Sequence, residues 1–302
     1  MNYRFGDLIL ASEFPCSQLP PGENAAPDCM FALRRGPEPP NLRWHHAWPA
    51  AGGGVALRGA RDGDAYTLGA PGVAVFSIDR DASRIVGRSV AAPETVEHLL
   101  IDQVLPRVLA HKGRLVLHAG GVRTPFGAIA FLGESGAGKS TLCSALARAG
   151  HPVLGDDGLV VRDDGGGMEV FATYPGLRLL PPSLRHFYGT GERTSPVASD
   201  RPKRRVAIRA VAGPLPLRAI YALAEHDAID IAPIPGVEAI MALVKSSFHL
   251  HWGDAKRSRD HLERIAATVR AVPPRILRYP RDFAALPRVI AAVLEDLAAR
   301  AA

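Results

Sequence analysis

Apolar and polar positions alternate over short spans through about the first ninety residues. "DAYTLGAPGVAVFSID" (Asp64 to Asp79) carries brief apolar runs broken by glycine and proline, as strands joined by turns do. "PPGENAAPDC", "RRGPEPPN" and "AAGGGVALRGARDGD" supply loop compositions between such runs. The period then changes. In "APETVEHLLIDQVLPRVLAHKG", Val96, Leu99, Leu100, Val104, Val108 and Leu109 recur at helical spacing. Pro93 suits the first turn of that helix and Gly113 its stop, while Pro106 should kink or divide it. Two apolar strands follow, "RLVLHAGGV" and "GAIAFLG". "STLCSALARAG" has the length of a helix ended by Gly150, "HPVLGDDGLVVRDDGGGMEVFATYPG" returns to strands, and "RDFAALPRVIAAVLEDLAARAA" is a closing amphipathic helix. There is no internal repeat. The pattern predicts an α/β protein with a smaller β-rich region over 1–92 and a larger α/β region over 93–302.

The chain has 302 residues, of which 47% are hydrophobic, enough to bury a sizeable core in one large domain or two ordinary ones. Its three cysteines, Cys16, Cys29 and Cys143, are odd in number and lack metal-ligand spacing, which points to a reducing compartment. "MNYRFGDLIL" lacks the basic start and long apolar run of a signal peptide, and no uninterrupted apolar window is long enough to span a membrane. A cytoplasmic protein without a membrane partner is expected. The net charge of +6 comes mostly from scattered arginines. The densest cluster, "RPKRRVAIR" over 201–209, is too short for a nucleic-acid surface, so no nucleic-acid partner is expected. A basic surface suits an acidic peptide or a nucleotide equally.

Gly133-Glu134-Ser135-Gly136-Ala137-Gly138-Lys139-Ser140, followed by Thr141, fits G-x-x-x-x-G-K-[ST] in full. It stands between an apolar strand and a helix, the context the motif requires. Its glycines let successive N–H groups face phosphate oxygens, and the following helix presents its positive end to the same place. Lys139 is expected to reach the β- and γ-phosphates of ATP, and the Ser140 hydroxyl to ligate Mg²⁺. Lysine is scarce in this chain, which makes its presence in this slot less incidental.

Asp156 and Asp157 follow Lys139 after seventeen residues. A short strand–loop–helix–strand unit would bring them back beside the phosphates. Two carboxylates there can divide the work: one accepts the proton of an attacking hydroxyl, the other holds or orients the metal. Asp163-Asp164, ahead of three glycines, reads as an ordinary turn. His118 on an apolar strand would by itself be a satisfied core histidine.

"LHAGGV…GAIAFLGESGAGKST…ARAGHPVLGDD" resembles the catalytic domain of the HPr serine kinase/phosphorylase family. His118, Lys139, Gly150-His151 and Asp156-Asp157 fall in register with that pattern. The resemblance implies that Asp156 is the catalytic carboxylate, Asp157 its metal-side neighbour and His118 the histidine near the reacting phosphate. The match is strong over about 114–160. Elsewhere "YRFGDLILASEF", "YPGLRLLP", "PKRRV" and "VPPRILRYPRDFAALPRVI" resemble the HPr-kinase-like enzymes of lasso-peptide gene clusters, which phosphorylate a precursor peptide on serine. The resemblance therefore implies a serine kinase using ATP and Mg²⁺ on a peptide with a serine acceptor, and allows a homo-oligomer. The front region differs from that of true HPr kinases, so an extended peptide end is expected in place of a folded carrier.

Lys203 and Arg204 read either as a solvated turn or as a basic loop that reaches the transferring phosphoryl group. Arg178 in "YPGLRLLP" is a weaker case. His249 and His251 would share a strand face, but no third ligand is evident and zinc is not expected. Trp44, Trp48 and Trp252 read as core or surface anchors. Two alternatives stand beside the peptide kinase: an HPr-type protein or small-molecule kinase, and a non-kinase P-loop ATPase. Against the latter, no L-S-G-G-Q-like signature follows the loop, nor four apolar residues and Asp-Glu.

Overall fold

The computed structural model describes residues 1–39, 42–49, 54–189, 194–197, 202–209, 211, 213–250 and 253–301. The front of the chain forms one eight-stranded sheet: β1 (Asn2–Phe5), β2 (Leu8–Ser12), β3 (Cys29–Arg35), β4 (His46–Pro49), β5 (Val55–Asp62), β6 (Ala65–Ala70), β7 (Ala74–Ile78) and β8 (Arg84–Ser89). Its order is β1-β2-β3-β8-β7-β6-β5-β4. Alternate residues point inward, as Leu8, Leu10 and Ser12 do in β2.

The helical pattern around Pro106 gives one continuous run in three pieces: α1 (Pro93–Leu99), a π turn (Leu100–Val104) and α2 (Leu105–His111). Pro106 carries no N–H and its ring crowds the preceding turn. The helix answers by widening ahead of it, so that the Leu105 N–H bonds to the Leu100 carbonyl. The expected kink is thus a π turn, and the run ends near Gly113, where φ is +88°. The run and the front sheet share one core, with Phe5, Phe76, Leu100, Val104 and Val108 all buried. That core continues into Val160, Tyr174 and Phe248 of the region that follows.

Next come β9 (Leu115–Leu117), β10 (Ala119–Thr124), β11 (Gly127–Leu132), α3 (Lys139–Arg148), β12 (Val153–Gly155), β13 (Leu159–Asp163), β14 (Met168–Ala172), β15 (Gly176–Leu179) and α4 (Pro181–Tyr188). The chain closes with β16 (Thr194–Pro196), β17 (Arg204–Ala207), β18 (Leu215–Glu225), β19 (Asp230–Pro233), α5 (Gly236–Ser246), α6 (Ala255–Ala271), β20 (Arg275–Tyr279), a 3₁₀ turn (Phe283–Ala285) and α7 (Leu286–Ala301). Asp163 and Asp164 make the expected turn, accepting the Gly165 and Gly166 N–H groups.

The second sheet is mixed, ordered β12-β10-β11-β18-β14-β13-β9, with β20 on β18 and β19 on β20. β11 lies antiparallel to β10 and parallel to β18. It is covered on both faces, which explains its unbroken apolar run. Ile129 and Phe131 join the core beneath α3 and α7, whereas Ala128, Ala130 and Leu132 join the core of α5 and α6. Gly120 in β10 lets α3 approach: a Cβ there would stand 2.7 Å from Cys143 Sγ. A small third sheet, β15-β17-β16, borders α4 and α3. Among the described residues no helix is long and apolar enough to cross a membrane.

Candidate active site

The Gly133–Gly138 loop leaves the carboxyl end of β11, and Lys139 opens α3. Gly136 and Gly138 take φ values of +87° and +100°, which side chains disfavour. Lys139 is buried, and its ammonium donates to the carbonyls of Gly133 (2.6 Å) and Glu134 (3.2 Å) and to His118 Nε2 (3.2 Å). Burial lowers its pKa, with the Asp157 charge opposing. An ammonium only donates, so His118 Nε2 accepts and its Nδ1–H donates to the Asp157 carbonyl at 3.2 Å. Burial holds the His118 pKa below its usual value, in keeping with a neutral ring. His118 is fixed further by its N–H to the Ser246 carbonyl, 2.6 Å, and by Phe248 edge-on at 6.1 Å.

β12 ends at Gly155 and delivers both aspartates. They face opposite ways. Asp156 is fully buried; its carboxyl accepts the Arg178 N–H at 2.7 Å and the Tyr174 hydroxyl at 3.2 Å. Burial, then the charge of Asp157, pushes its pKa up to about 7, and hydrogen bonds from the Arg178 N–H and the Ser140 hydroxyl oppose this. Asp157 turns toward the loop. Burial would raise its pKa, but the Arg178 guanidinium, 3.2 Å away, holds it below the usual carboxylate range with help from Lys203.

A cavity of about 270 Å³ opens between these groups, lined by Glu134, Ser135, Gly136, Gly138–Thr141, His118, Asp157 and Lys203 among others. Of the residues expected at the site, Gly133, Ala137, Asp156 and Arg204 do not line it. Gly133 contributes its carbonyl to Lys139, and the Ala137 N–H closes a turn onto the Glu134 carbonyl. Asp156 lies one layer beneath, so it is Asp157 that meets the cavity and not the carboxylate the resemblance assigned to the reacting hydroxyl. Arg204 spends its guanidinium on Thr194, at 2.6 Å to the hydroxyl. His151 continues the end of α3 through its N–H to the Leu146 carbonyl and is not a lining residue. Arg201, His251 and Trp252 lie outside the described residues. Trp44 and Trp48 lie under the guanidinium groups of Arg58 and Arg107, as anchors.

On the far wall of the cavity the sequence offered Arg178 only as a weaker case and missed Asp102 and His98. Arg178, 1% exposed, lies between Asp157 and Asp102 and forms an ion pair with each. Asp102 sits on the π turn and meets His98 at 3.0 Å. Burial would raise the Asp102 pKa, but Arg178 and His98 hold it far below the carboxylate range. The Arg178 Nε and Nη2 atoms are buried without a hydrogen-bond partner. The only hint in the sequence is a carboxylate amid apolar helical spacing and an arginine inside an apolar strand.

Breaking such a network leaves an uncompensated charge. Asp102→Ala is expected to lower the unfolding free energy by about 3 kcal/mol, the low end for losing one partner of a buried pair because Asp157 remains. Urea unfolding measures it. Asp102→Ala with Arg178→Met should recover most of the loss, since no charge is then stranded; equal stability of wild type and Asp102→Ala would refute the argument.

Mg²⁺ is held by hard oxygens, commonly one or two carboxylates with substrate phosphates. The Ser140 hydroxyl and the Asp157 carboxylate at the cavity wall are oxygens of this kind, and the buried Asp156 carboxyl meets the Ser140 hydroxyl from behind. Among the described residues no group of three His, Cys, Asp or Glu side chains could hold a metal ion on its own.

No family model matches the chain. No curated protein matches it. Among solved structures it is similar to the Hpr(Ser) kinase/phosphatase from Coxiella burnetii, with a TM-score of 0.32, 11% identity, and cover of 60% of this chain and 96% of that one.

Proposed function

We propose that this chain is an ATP-dependent phosphotransferase that moves the γ-phosphoryl group to a serine hydroxyl of an extended peptide. The precursor of a lasso peptide is the acceptor that the sequence resemblance favours. The observation that carries the reading is the convergence, in one cavity, of a phosphate-loop lysine and a carboxylate around a neutral histidine. The loop N–H groups and Lys139 would bind the phosphates. Ser140, its hydroxyl backed by the buried Asp156 carboxyl, would hold Mg²⁺, which would neutralise phosphate charge when bound. In the transfer, a bond forms between the serine Oγ and the γ-phosphorus, the bond from that phosphorus to the bridging oxygen breaks, and ADP leaves. The hydroxyl proton passes to Asp157, the carboxylate that lines the cavity. His118, its tautomer set by Lys139 and the Asp157 carbonyl, keeps the two groups in register.

A peptide acceptor is supported by Lys203 at the cavity wall and by the exposed Arg204 next to it in sequence, a cationic approach for an acidic chain end. A folded carrier needs about 800 Å² of docking surface per side, a peptide end only a groove. The test is incubation with Mg-ATP and, separately, HPr, peptides ending in serine, and the same peptides ending in alanine. Phosphoryl gain by mass on the serine peptides alone is expected. Transfer to HPr with none to any peptide would overturn the acceptor; ATP hydrolysis without transfer to any hydroxyl would overturn the kinase.

A further inference from the structure

On the far side of the phosphate loop lies a second, smaller cleft of about 150 Å³, lined by Gly136, Gly138, Thr141, Tyr279, Arg281 and Phe283, with Asp282 and Leu286. Gly136, Gly138 and Thr141 also line the first cavity, so the two spaces meet along the loop. We infer that this cleft takes the nucleoside end of the triphosphate and holds its base by ring stacking on Phe283, with little discrimination between adenine and guanine. The inference rests on the phosphate-site reading above and deepens it.

Position comes first. A triphosphate laid along the loop has one end among Lys139, Asp157 and His118, where transfer is proposed. Its other end must leave past Gly136 and Gly138 into the second cleft. Gly138 is pinned there: a Cβ at that position would stand 2.6 Å from the Tyr279 hydroxyl oxygen. The platform is also ordered in advance. His186 stacks on Phe283 with centroids 4.1 Å apart and planes at 11°, and Phe187 meets the ring edge-on at 5.9 Å and 84°. Two side chains from α4 thus fix the ring that lines the cleft, so little rotamer freedom is lost on stacking a base.

Selectivity follows from what three polar side chains of the cleft, Thr141, Asp282 and Arg281, already do. The Thr141 hydroxyl is bonded to Ser183 at 2.9 Å. The Asp282 carboxylate caps its own turn by accepting the Ala284 N–H at 3.0 Å. Arg281 pairs with Glu225 at 3.2 Å. Strong rejection of a near-isosteric ligand needs buried polar groups that would be left unpaired by the wrong one. Stacking on an aromatic ring supplies affinity without reading the base edge, because every base offers a π face.

The experiment measures competitive binding of Mg-ATP, Mg-GTP and Mg-tripolyphosphate to wild type, Phe283→Ala and Phe283→Trp. ATP and GTP are expected to bind within about threefold of each other and both more tightly than tripolyphosphate. Phe283→Ala is expected to weaken both nucleotides about tenfold to hundredfold and leave tripolyphosphate unchanged, with Phe283→Trp restoring both. A preference for one purine above a hundredfold, or nucleotide affinity indifferent to Phe283→Ala, overturns the inference. So does equal weakening of tripolyphosphate by Phe283→Ala, the mark of a damaged loop. Tripolyphosphate binding with no gain from any nucleoside sinks this cleft alone; no binding of any of the three sinks the phosphate site with it.

Discussion

Lys139→Ala is expected to lower turnover about 10²–10³-fold while the fold stays as stable as wild type. The magnitude is that of removing one preorganised donor aimed at developing charge in a water-poor site. The side chain is buried and its ammonium donates to Gly133 O, Glu134 O and His118 Nε2. Its depressed pKa shows that burial disfavours the charge more than these partners and Asp157 recover. Removing it therefore loses hydrogen bonds but also relieves a poorly solvated charge, and the two effects offset. The loop keeps its shape through its glycines and the turn from Ala137 N–H to Glu134 O. ATP-dependent thermal stabilisation, which follows affinity by mass action, should shrink while the ligand-free melting temperature holds. An undiminished ATP-induced shift together with undiminished turnover would remove Lys139 from the site.

What was legible in the sequence is what contiguous residues determine. The loop from Gly133 to Lys139, its strand and its helix follow from local chemistry. So does the helical run from Pro93, although Pro106 produced a π turn where spacing alone suggested a kink or a break. Asp102 was hidden for that reason: it reads as one polar position in an amphipathic helix until the widened turn sets it against Arg178. His98 was hidden with Asp102, its partner four residues along the same run, and Tyr174 because the Asp156 it meets lies 18 residues away, with β13 and β14 between. Which aspartate faces the cavity was equally out of reach. Adjacent residues at a strand end point to opposite sides, and the choice rests on the pairing of β12 with β10, whose register shifts at Gly121 and Val122. Sheet order is non-local too: β11 pairs with β18, and β9 with β13.

The two aspartates should separate by pH, because their environments push them apart. Asp157→Asn is expected to lower turnover about 10²–10⁴-fold, the range for losing a general base, since Asn fills the same space but takes no proton at neutral pH. Asp156 is different. Its folded pKa stands at about 7, raised by burial and then by Asp157, so it is protonated below that value and ionised above it. If its carboxylate serves the metal side with Ser140, wild-type turnover rises as pH climbs through about 7. The linkage has the matching sign. A raised folded pKa favours the folded state fully below the unfolded carboxylate value, and that contribution is lost as pH rises through about 7. Asp156→Asn should therefore gain stability relative to wild type as pH climbs from the ordinary carboxylate range, the gain being complete once pH has passed about 7, while failing in turnover. Asp157→Asn removes the neighbouring charge that raises Asp156, so its residual activity should rise at lower pH than in wild type. The measurements are pH–rate profiles of all three proteins and melting curves across the same range. If Asp156→Asn turned over at the wild-type rate while Asp157→Asn kept the wild-type midpoint, neither the division of labour nor the coupling would stand.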